Sequence, residues 1–274
     1  MKITILVENH SSANTNLETE HGLSMLVEVG NQRILFDTGQ SAVLCRNAAR
    51  LNVDLSDVDA VVLSHGHYDH TGGIPCLYRQ AGCTAPVFVH SSAFQSRYSN
   101  NPDRGLHFVG MAPETKAVLE QRGMVSTDAP CEVIGGFMLT GTIPRMNDFE
   151  DCGGNFYLDR KCNSVDELPD DQAGYVDTPN GLVVILGCAH AGVINTLEYI
   201  RQLVPHRPIY AVIGGMHLKH ASASRIETTI KMLRERNIKH IFPLHCSGDE
   251  ATTRLAQALG HQVKSGYVGL VLEF

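Results

Sequence analysis

The sequence predicts a layered α/β protein built as one domain over residues 1–274. Three observations favour this class. Apolar segments of strand length alternate with amphipathic helical segments in the first third of the chain, and the same alternation returns in the last third. Hydrophobic residues make up 43% of the chain and charged residues 19%, the composition of a folded globular protein.

The first third is predicted to contain five strands and one helix. Gly30-Asn31 separates two apolar segments, and such residues favour the positive φ angles of a two-residue hairpin turn. The short segment at 60–63 is apolar throughout, as expected for a strand buried on both faces. The predicted strands are 3–7, 25–29, 33–36, 60–63 and 86–89, and the predicted helix is 41–52.

The last third repeats this alternation. Ile226, Ile230 and Leu233 recur on one face of a predicted helix at 222–236. The other predicted elements are strands 182–186, 209–213, 240–242 and 268–274, and helices 191–203 and 249–259.

The middle of the chain, about 91–175, differs in composition. It is rich in proline and glycine and carries an acidic run at 166–171. Long connections in compact domains usually serve a function. We therefore predict an insertion or lid here, with a helix near 114–122 and a hairpin near 131–143.

Charge and hydropathy disfavour two classes of partner. The formal net charge is −7 and no Lys/Arg run is present, so a nucleic-acid partner is not expected. No stretch approaches the ~20 apolar residues of a membrane span, and residues 1–8 are predicted as a first strand rather than a signal peptide. We expect a cytoplasmic protein with a small-molecule substrate, and we leave the oligomeric state open.

The segment 64–70, Ser-His-Gly-His-Tyr-Asp-His, is the strongest functional signal and directly follows a predicted strand. Residues two apart in an extended chain point the same way, so His65 and His67 can hold one metal ion. The turn that follows can direct Asp69 and His70 toward a second ion. Imidazoles with a carboxylate suit zinc first, with iron or manganese as alternatives. The sequence therefore predicts a divalent transition metal, one or two ions per chain.

The eight cysteines form no CxxC pair, and most are expected to be reduced and buried. Cys188 and Cys246 each lie within two residues of a later histidine that follows a strand, so they are candidates for lining the site. Cys152 and Cys162 are candidates for a pair or for metal binding, and this alternative stays open.

The pattern His-x-His-x-Asp-His after a strand resembles the signature of the metallo-β-lactamase superfamily. The resemblance implies a four-layer αββα sandwich with the site at one edge of the two sheets. It also implies the ligands: His65, His67 and His190 for one ion, and Asp69, His70 and His245 for the other. Asp37 matches a further motif of the superfamily, which implies that it orients a ligand histidine.

One part of the superfamily pattern is missing. An aspartate that bridges both ions commonly follows the strand between the last two histidines. Here strand 209–213 leads into Gly214-Gly215-Met216-His217. We therefore leave one or two ions open, and His217 is a candidate for replacing the missing group or for facing the substrate.

Further segments resemble a subgroup of the superfamily that contains a dihydropterin-related phosphate synthase. They are 20–24, 140–145, 148–150, 170–173, 190–196 and 214–218. The resemblance implies an anionic or pterin-related substrate, with Glu20, His21, Arg145 and His217 as candidate contacts. A guanidinium such as that of Arg145 can hold a carboxylate or phosphate through two parallel hydrogen bonds. A surface ion pair is the alternative for this residue.

The leading functional hypothesis is a metal-dependent hydrolase that acts on a small anionic ester or phosphate through a metal-bound hydroxide. Asp69 and His217 are the catalytic candidates, and Asp69 would orient the nucleophile while serving as a ligand. The alternative is a transferase of the pterin-synthase type, which joins an arylamine to a pterin methyl diphosphate and releases pyrophosphate. A non-catalytic binder is disfavoured, because all six ligand positions are present.

Overall fold

The structure, a computed structural model, describes residues 1–13, 15–101 and 104–274. The first of two large β-sheets has seven strands. They are β1 (Lys2–Val7), β2 (Ser24–Val29), β3 (Gln32–Phe36), β4 (Ala60–Val62), β5 (Val87–Val89), β8 (Met124–Ser126) and β16 (Val271–Glu273). Their order across the sheet is β16-β1-β2-β3-β4-β5-β8.

The second large sheet has six strands. They are β9 (Cys131–Ile134), β10 (Phe137–Leu139), β12 (Gly174–Thr178), β13 (Gly181–Leu186), β14 (Ile209–Gly215) and β15 (His240–Leu244), in the spatial order β15-β14-β13-β12-β10-β9. Strands β13, β14 and β15 run parallel to one another. In the first sheet β3, β4 and β5 also run parallel. The carboxyl ends of both sets lead into the segments that carry the predicted ligands.

The residues of β13 show why the strands are apolar throughout. Leu182, Val184 and Leu186 pack in a core with helices, while Val183 and Ile185 pack in the core between the two sheets. Successive side chains point to opposite faces of a strand, so a strand covered on both faces has no polar position.

Helices cover the outer face of each sheet. The first sheet packs against α1 (Val43–Arg50), α3 (Ile74–Arg79) and α4 (Pro113–Arg122), and the second against α5 (Val193–Leu203), α6 (Ala223–Glu235) and α7 (Asp249–Leu259). A third core fills the space between the sheets. The layers therefore run helix, sheet, sheet, helix, and the predicted αββα sandwich is confirmed.

The segment 91–175 is divided between the sandwich and a small separate sheet. Helix α4 and the hairpin of β9 and β10 occur where the sequence predicts a helix and a hairpin. Strands β8, β9, β10 and β12 join the large sheets, whereas β6 (Tyr98–Asn101), β7 (Gly105–Phe108) and β11 (Phe156–Tyr157) form a three-stranded sheet. The part that stands apart from the large sheets is therefore shorter than the predicted insertion.

Two details differ from the sequence predictions. Cys45 on α1 and Cys76 on α3 form a disulfide with a Cα–Cα distance of 6.5 Å, so the expectation of reduced cysteines is wrong for this pair. The two helices pack side by side, which a spacing of 31 residues in the sequence does not reveal. Cys152 and Cys162 do not pair and are both free. The last strand, β16, covers only part of the predicted 268–274.

No helix among the described residues combines the length and the apolar character needed to cross a membrane.

Candidate metal centre

The loop after β4 carries four of the predicted ligands to the edge where the two sheets meet. Its path depends on Gly66, because a Cβ at this position would lie 2.1 Å from the carbonyl oxygen of Ala93. The Gly66 N–H donates a hydrogen bond of 2.7 Å to Asp170 Oδ2. The short helix α2 (Tyr68–Thr71) follows at once and carries Asp69 and His70.

His65, His67 and His190 form one cluster. His65 Nε2 lies 3.0 Å from His67 Nδ1, and the ligand nitrogens of the three rings lie within 4.8 Å of one another. Two tetrahedral ligands at zinc–nitrogen bonds of 2.0–2.1 Å stand about 3.3 Å apart. His190 Nε2 is buried and has no hydrogen-bond partner within the described part of the chain. These side chains therefore fit the ligand set of one metal ion.

The charge state of this cluster also suits metal binding. Burial lowers the pKa of His65, His67 and His190 well below the ordinary histidine value. The rings are therefore neutral near pH 7, which is the form that donates a lone pair to a metal ion.

Asp69, His70 and His245 lie beside the first cluster. Asp69 Oδ2 is 3.3 Å from His245 Nε2 and 4.0 Å from His70 Nε2. His21 approaches the same oxygen at 3.1 Å and forms a candidate metal-binding group with Asp69 and His245. Burial alone would raise the pKa of Asp69. The charge of His70 and the hydrogen bonds from His21 and His245 instead hold that pKa well below its ordinary value, so the carboxyl group is ionised.

Asp37 holds the ring of His70. Asp37 Oδ2 lies 2.7 Å from His70 Nδ1 and accepts a hydrogen bond of 2.7 Å from the Ser64 hydroxyl. The Ser64 N–H donates to Asp37 Oδ1 at 2.7 Å. Burial alone would lower the pKa of His70, but Asp37 and Asp69 raise it to about 9. The arrangement leaves His70 Nε2 as the atom that faces the cluster.

His190 and His245 are oriented through their Nδ1 atoms. His190 Nδ1 lies 2.9 Å from the carbonyl oxygen of Cys152, and His245 Nδ1 lies 2.9 Å from Asn9 Oδ1. The backbone N–H of His245 donates to Glu8 Oε1 at 2.6 Å. Such contacts fix the ring orientation of metal-binding histidines.

Cys188 lies deeper in the site than the sequence indicated. Its sulfur is 3.1 Å from His70 Nε2, and its carbonyl oxygen accepts a contact of 3.6 Å from Cys246 Sγ. The one available signal was its place two residues before His190. Burial raises the pKa of the Cys188 thiol well above its ordinary value, so a thiolate at this position needs a cation beside it.

A cavity of about 1030 Å³ opens over these residues. The small three-stranded sheet contributes Ser99, Asn100, His107 and Phe156 to its wall. Two exposed cations, Arg104 and Lys219, also line it, together with Asp151. The wall thus carries positive charge around a metal-binding floor.

Two of the predicted substrate contacts line this cavity, His21 and His217. The His217 ring lies 4.2 Å from the His190 ring, and its Nδ1 is buried without a hydrogen-bond partner among the residues described. His217 also groups with Cys188 and His190 as a candidate metal-binding set.

The other two, Glu20 and Arg145, are not among the described residues that line the cavity. The Glu20 carboxylate accepts the backbone N–H groups of Gln40 and Ser41 at 2.9 and 3.2 Å. Arg145 donates 2.9 Å hydrogen bonds to carbonyl oxygens, including that of His190. Both side chains bond backbone groups of loops beside the site, and their role as substrate contacts stays a prediction.

Known proteins resemble this chain over its whole length. It is 29% identical to the 7,8-dihydropterin-6-methyl-4-(beta-D-ribofuranosyl)-aminobenzene-5'-phosphate synthase of Methanocaldococcus jannaschii, over 100% of this chain and 97% of that protein. It is 31% identical to an uncharacterised protein of the same organism, over 98% of this chain and 99% of that one.

Among solved structures, Tm1679 is described as a metal-dependent hydrolase of the beta-lactamase superfamily. It superimposes with a TM-score of 0.84 at 31% identity, covering 100% of this chain and 99% of its own. The family profile of the metallo-beta-lactamase superfamily matches residues 18–117. From these full-length matches and the geometry above, we conclude that this chain belongs to the metallo-β-lactamase superfamily.

Proposed function

We propose that this protein is a metal-dependent hydrolase that cleaves an ester or phosphoryl bond in a small anionic substrate. The observation that carries the proposal is the position of the His65, His67 and His190 cluster beside an open cavity, where a substrate can reach it. A divalent transition metal held there, zinc first and iron or manganese as alternatives, would polarise the bond under attack and lower the pKa of a water molecule.

Side chains of the cavity supply the remaining functions. Asp69 is ionised, and its Oδ2 is an acceptor that can orient the attacking water toward the substrate. His217 lines the cavity and, in this proposal, would transfer a proton to the oxygen of the leaving group. His21, which contacts Asp69, holds that carboxylate in place.

The charge of the wall supports an anionic substrate. Arg104 and Lys219 are exposed cations on the cavity wall, where Asp151 is the exposed carboxylate, while the Asp69 carboxylate at the floor is a predicted metal ligand. Cations that converge on a cleft raise the local concentration of an anionic substrate, even though the whole chain carries a net charge of −7.

The test is hydrolysis of model esters, phosphodiesters and diphosphates by metal-loaded, chelated and re-metallated protein. We expect chelation to abolish turnover of one class and metal to restore it. Asp69→Asn should lower kcat by about 10²–10⁴-fold, whereas Asp148→Asn, an exposed position, should leave it unchanged. Equal rates with and without chelator would contradict the proposal.

A synthase-type transferase is the second candidate. The full-length similarity to the M. jannaschii synthase favours it, as does the cavity of about 1030 Å³, at the upper end of the ~300–1,000 Å³ typical of ligand pockets. The assay is pyrophosphate release from a pterin methyl diphosphate, with and without an arylamine phosphate. Release that depends on the arylamine supports the transferase. Release without it, with oxygen from labelled water in the pyrophosphate, supports hydrolysis at phosphorus.

A further inference from the structure

One sulfur atom lies where the two ligand clusters meet. Cys188 Sγ belongs to three candidate metal-binding groups, in each of which the ligand atoms lie within 4.8 Å of one another. The partners in these groups are His65 with His70, His190 with His217, and His245 with Cys246. The same sulfur therefore approaches ligands assigned to both ions. Among the described residues, Cys246 belongs to one such group only.

Cys188 lies near the place where the superfamily pattern has a bridging carboxylate that this chain lacks. The superfamily pattern places a bridging aspartate after the strand that is β14 here, and this chain has Met216-His217 instead. Strands β13 and β14 are adjacent and parallel, with Leu186 paired to Gly214. Cys188 follows Leu186 by two residues, as Met216 follows Gly214. Cys188 therefore follows β13 at the same edge of the sheet at which the missing carboxylate would follow the neighbouring strand β14.

Close packing brings the Cys188 segment against the ligand loop. A Cβ on Gly187 would lie 2.0 Å from Ser64 Oγ, so the end of β13 lies against the loop that carries His65. Cys188 itself is 3% exposed. The two chain segments are therefore in direct contact, and the buried Cys188 sulfur lies 3.1 Å from His70 Nε2.

Charge balance favours an anionic donor at this point. Two divalent ions would bring four positive charges into a buried site, while the six predicted ligands include one carboxylate, Asp69, and five imidazoles. Buried charge without compensation is strongly unfavourable. A sulfur anion shared by the two clusters would add a second negative charge between them.

We propose that the Cys188 thiolate is a metal ligand shared between the two histidine clusters, in the place of the absent bridging carboxylate. The inference rests on the proposed metal-dependent function. As the metal–sulfur bond forms, the thiol proton passes to the solvent buffer, and neither metal nor sulfur changes oxidation state. A soft sulfur donor favours zinc, cobalt or iron over manganese, so Cys188→Asp should shift metal preference toward manganese.

The experiment is reconstitution of the metal-free protein with Co²⁺, followed by near-ultraviolet absorption and metal counting. We expect a sulfur-to-cobalt charge-transfer band in the wild-type protein. The band should be lost in Cys188→Ser and in Cys188→Asp, and retained in Cys246→Ser and in Cys83→Ser, a buried cysteine of another core. Zinc-edge X-ray absorption of the wild-type protein should show a sulfur neighbour at about 2.3 Å.

The outcomes separate the inference from the proposed function. Wild-type protein that binds no cobalt or zinc at the site rejects the metal-dependent function and the inference with it. Bound metal with no charge-transfer band and no sulfur neighbour rejects the role of Cys188 alone, as does a band that survives Cys188→Ser or disappears in Cys246→Ser. If Cys188→Ser fails to fold, Cys188→Asp and the wild-type X-ray absorption decide.

Discussion

At the scale of single residues, the protonation of His70 distinguishes the two ligand clusters. Asp37 and Asp69 overcome the effect of burial and raise the pKa of His70 to about 9. Below that pH the metal-free protein carries a proton on His70 Nε2, the atom that faces the cluster. His65, His67 and His190 are neutral in the same range, because burial lowers their pKa values. A metal ion that binds His70 must therefore displace a proton.

We predict that metal binding releases one proton per chain from His70 at pH 7–8, in addition to the thiol proton of Cys188, and strengthens as pH rises toward 9. The sign follows from linkage, since the metal-free state holds the proton below its pKa and the metal-bound state does not. Isothermal titration calorimetry in buffers of different ionisation enthalpy measures the released protons.

Asp37→Asn should lower the proton release from His70, because the larger of the two carboxylate charges that raise the His70 pKa is gone while Asp69 remains. Asp177→Asn, which changes an exposed partner of Arg207, is the matched control and should behave as wild type. Wild-type binding that releases no more than the one proton of the Cys188 thiol, or whose affinity falls between pH 7 and 9, would show that His70 is not a ligand in this form.

At the scale of secondary-structure elements, the loop after β4, which carries four predicted ligands, packs closely against the backbone of Ala93. We predict that Gly66→Ala lowers the free energy of unfolding by ~1–3 kcal/mol through overpacking and abolishes metal binding, because its Cβ would meet the Ala93 carbonyl.

The control is Gly82→Ala. Gly82 has a positive φ and open space around it, so the substitution should lower the free energy of unfolding by ~1–2 kcal/mol and leave metal binding intact. Urea unfolding and metal analysis test both. A fully metallated Gly66→Ala protein would argue against this account of the loop.

Buried ion pairs connect Arg97, the residue that precedes β6, to the loop after β4. Arg97 is fully buried and pairs with Asp166 at 2.8 Å and with Asp170, and Asp170 also accepts the Gly66 N–H. We predict that Arg97→Met lowers the free energy of unfolding by ~3–5 kcal/mol, because it leaves buried carboxylates without a cation.

The control for Arg97→Met is Arg79→Met, which breaks an exposed pair with Glu114 and should cost ~0–1 kcal/mol. Chemical denaturation measures both variants. Equal effects of the two substitutions would mean that the Arg97 network does not stabilise the fold.

The elements that the sequence predicted well are those whose signal is local. The patterns that predict strand β13 and the loop at 64–70 lie in adjacent residues, and both elements occur as expected. The approach of Cys188 to His70 depends on which parallel strands end side by side, and local periodicity does not contain that information. The substrate roles of Glu20 and Arg145 stay predictions, because carboxylates and guanidinium groups bind ligands and backbone groups through the same hydrogen bonds.

At the scale of the whole molecule, the candidate ligands come from both sheets. His65 to His70 follow a strand of the first sheet, while His190 and His245 follow strands of the second. A metal ion bound to both groups would connect the two halves of the sandwich, and it would bind the folded chain in preference to the unfolded one.

We predict that metal removal lowers the Tm of the entire molecule. At a free metal concentration 100-fold above Kd the bound ion contributes about 2.7 kcal/mol, which corresponds to a shift of ~5–10 °C for a domain of this size. His190→Ala should lose the metal-dependent shift, and His261→Ala, an exposed histidine, should keep it. A Tm that does not respond to metal in the wild-type protein would contradict this coupling.

The most direct test of the metal centre is X-ray diffraction from crystals of zinc-loaded protein, recorded on both sides of the zinc absorption edge. The account predicts an anomalous peak about 2.0–2.1 Å from nitrogens of His65, His67 and His190. Zinc-loaded crystals whose anomalous peaks lie only at surface side chains, with none among these three rings, would contradict it.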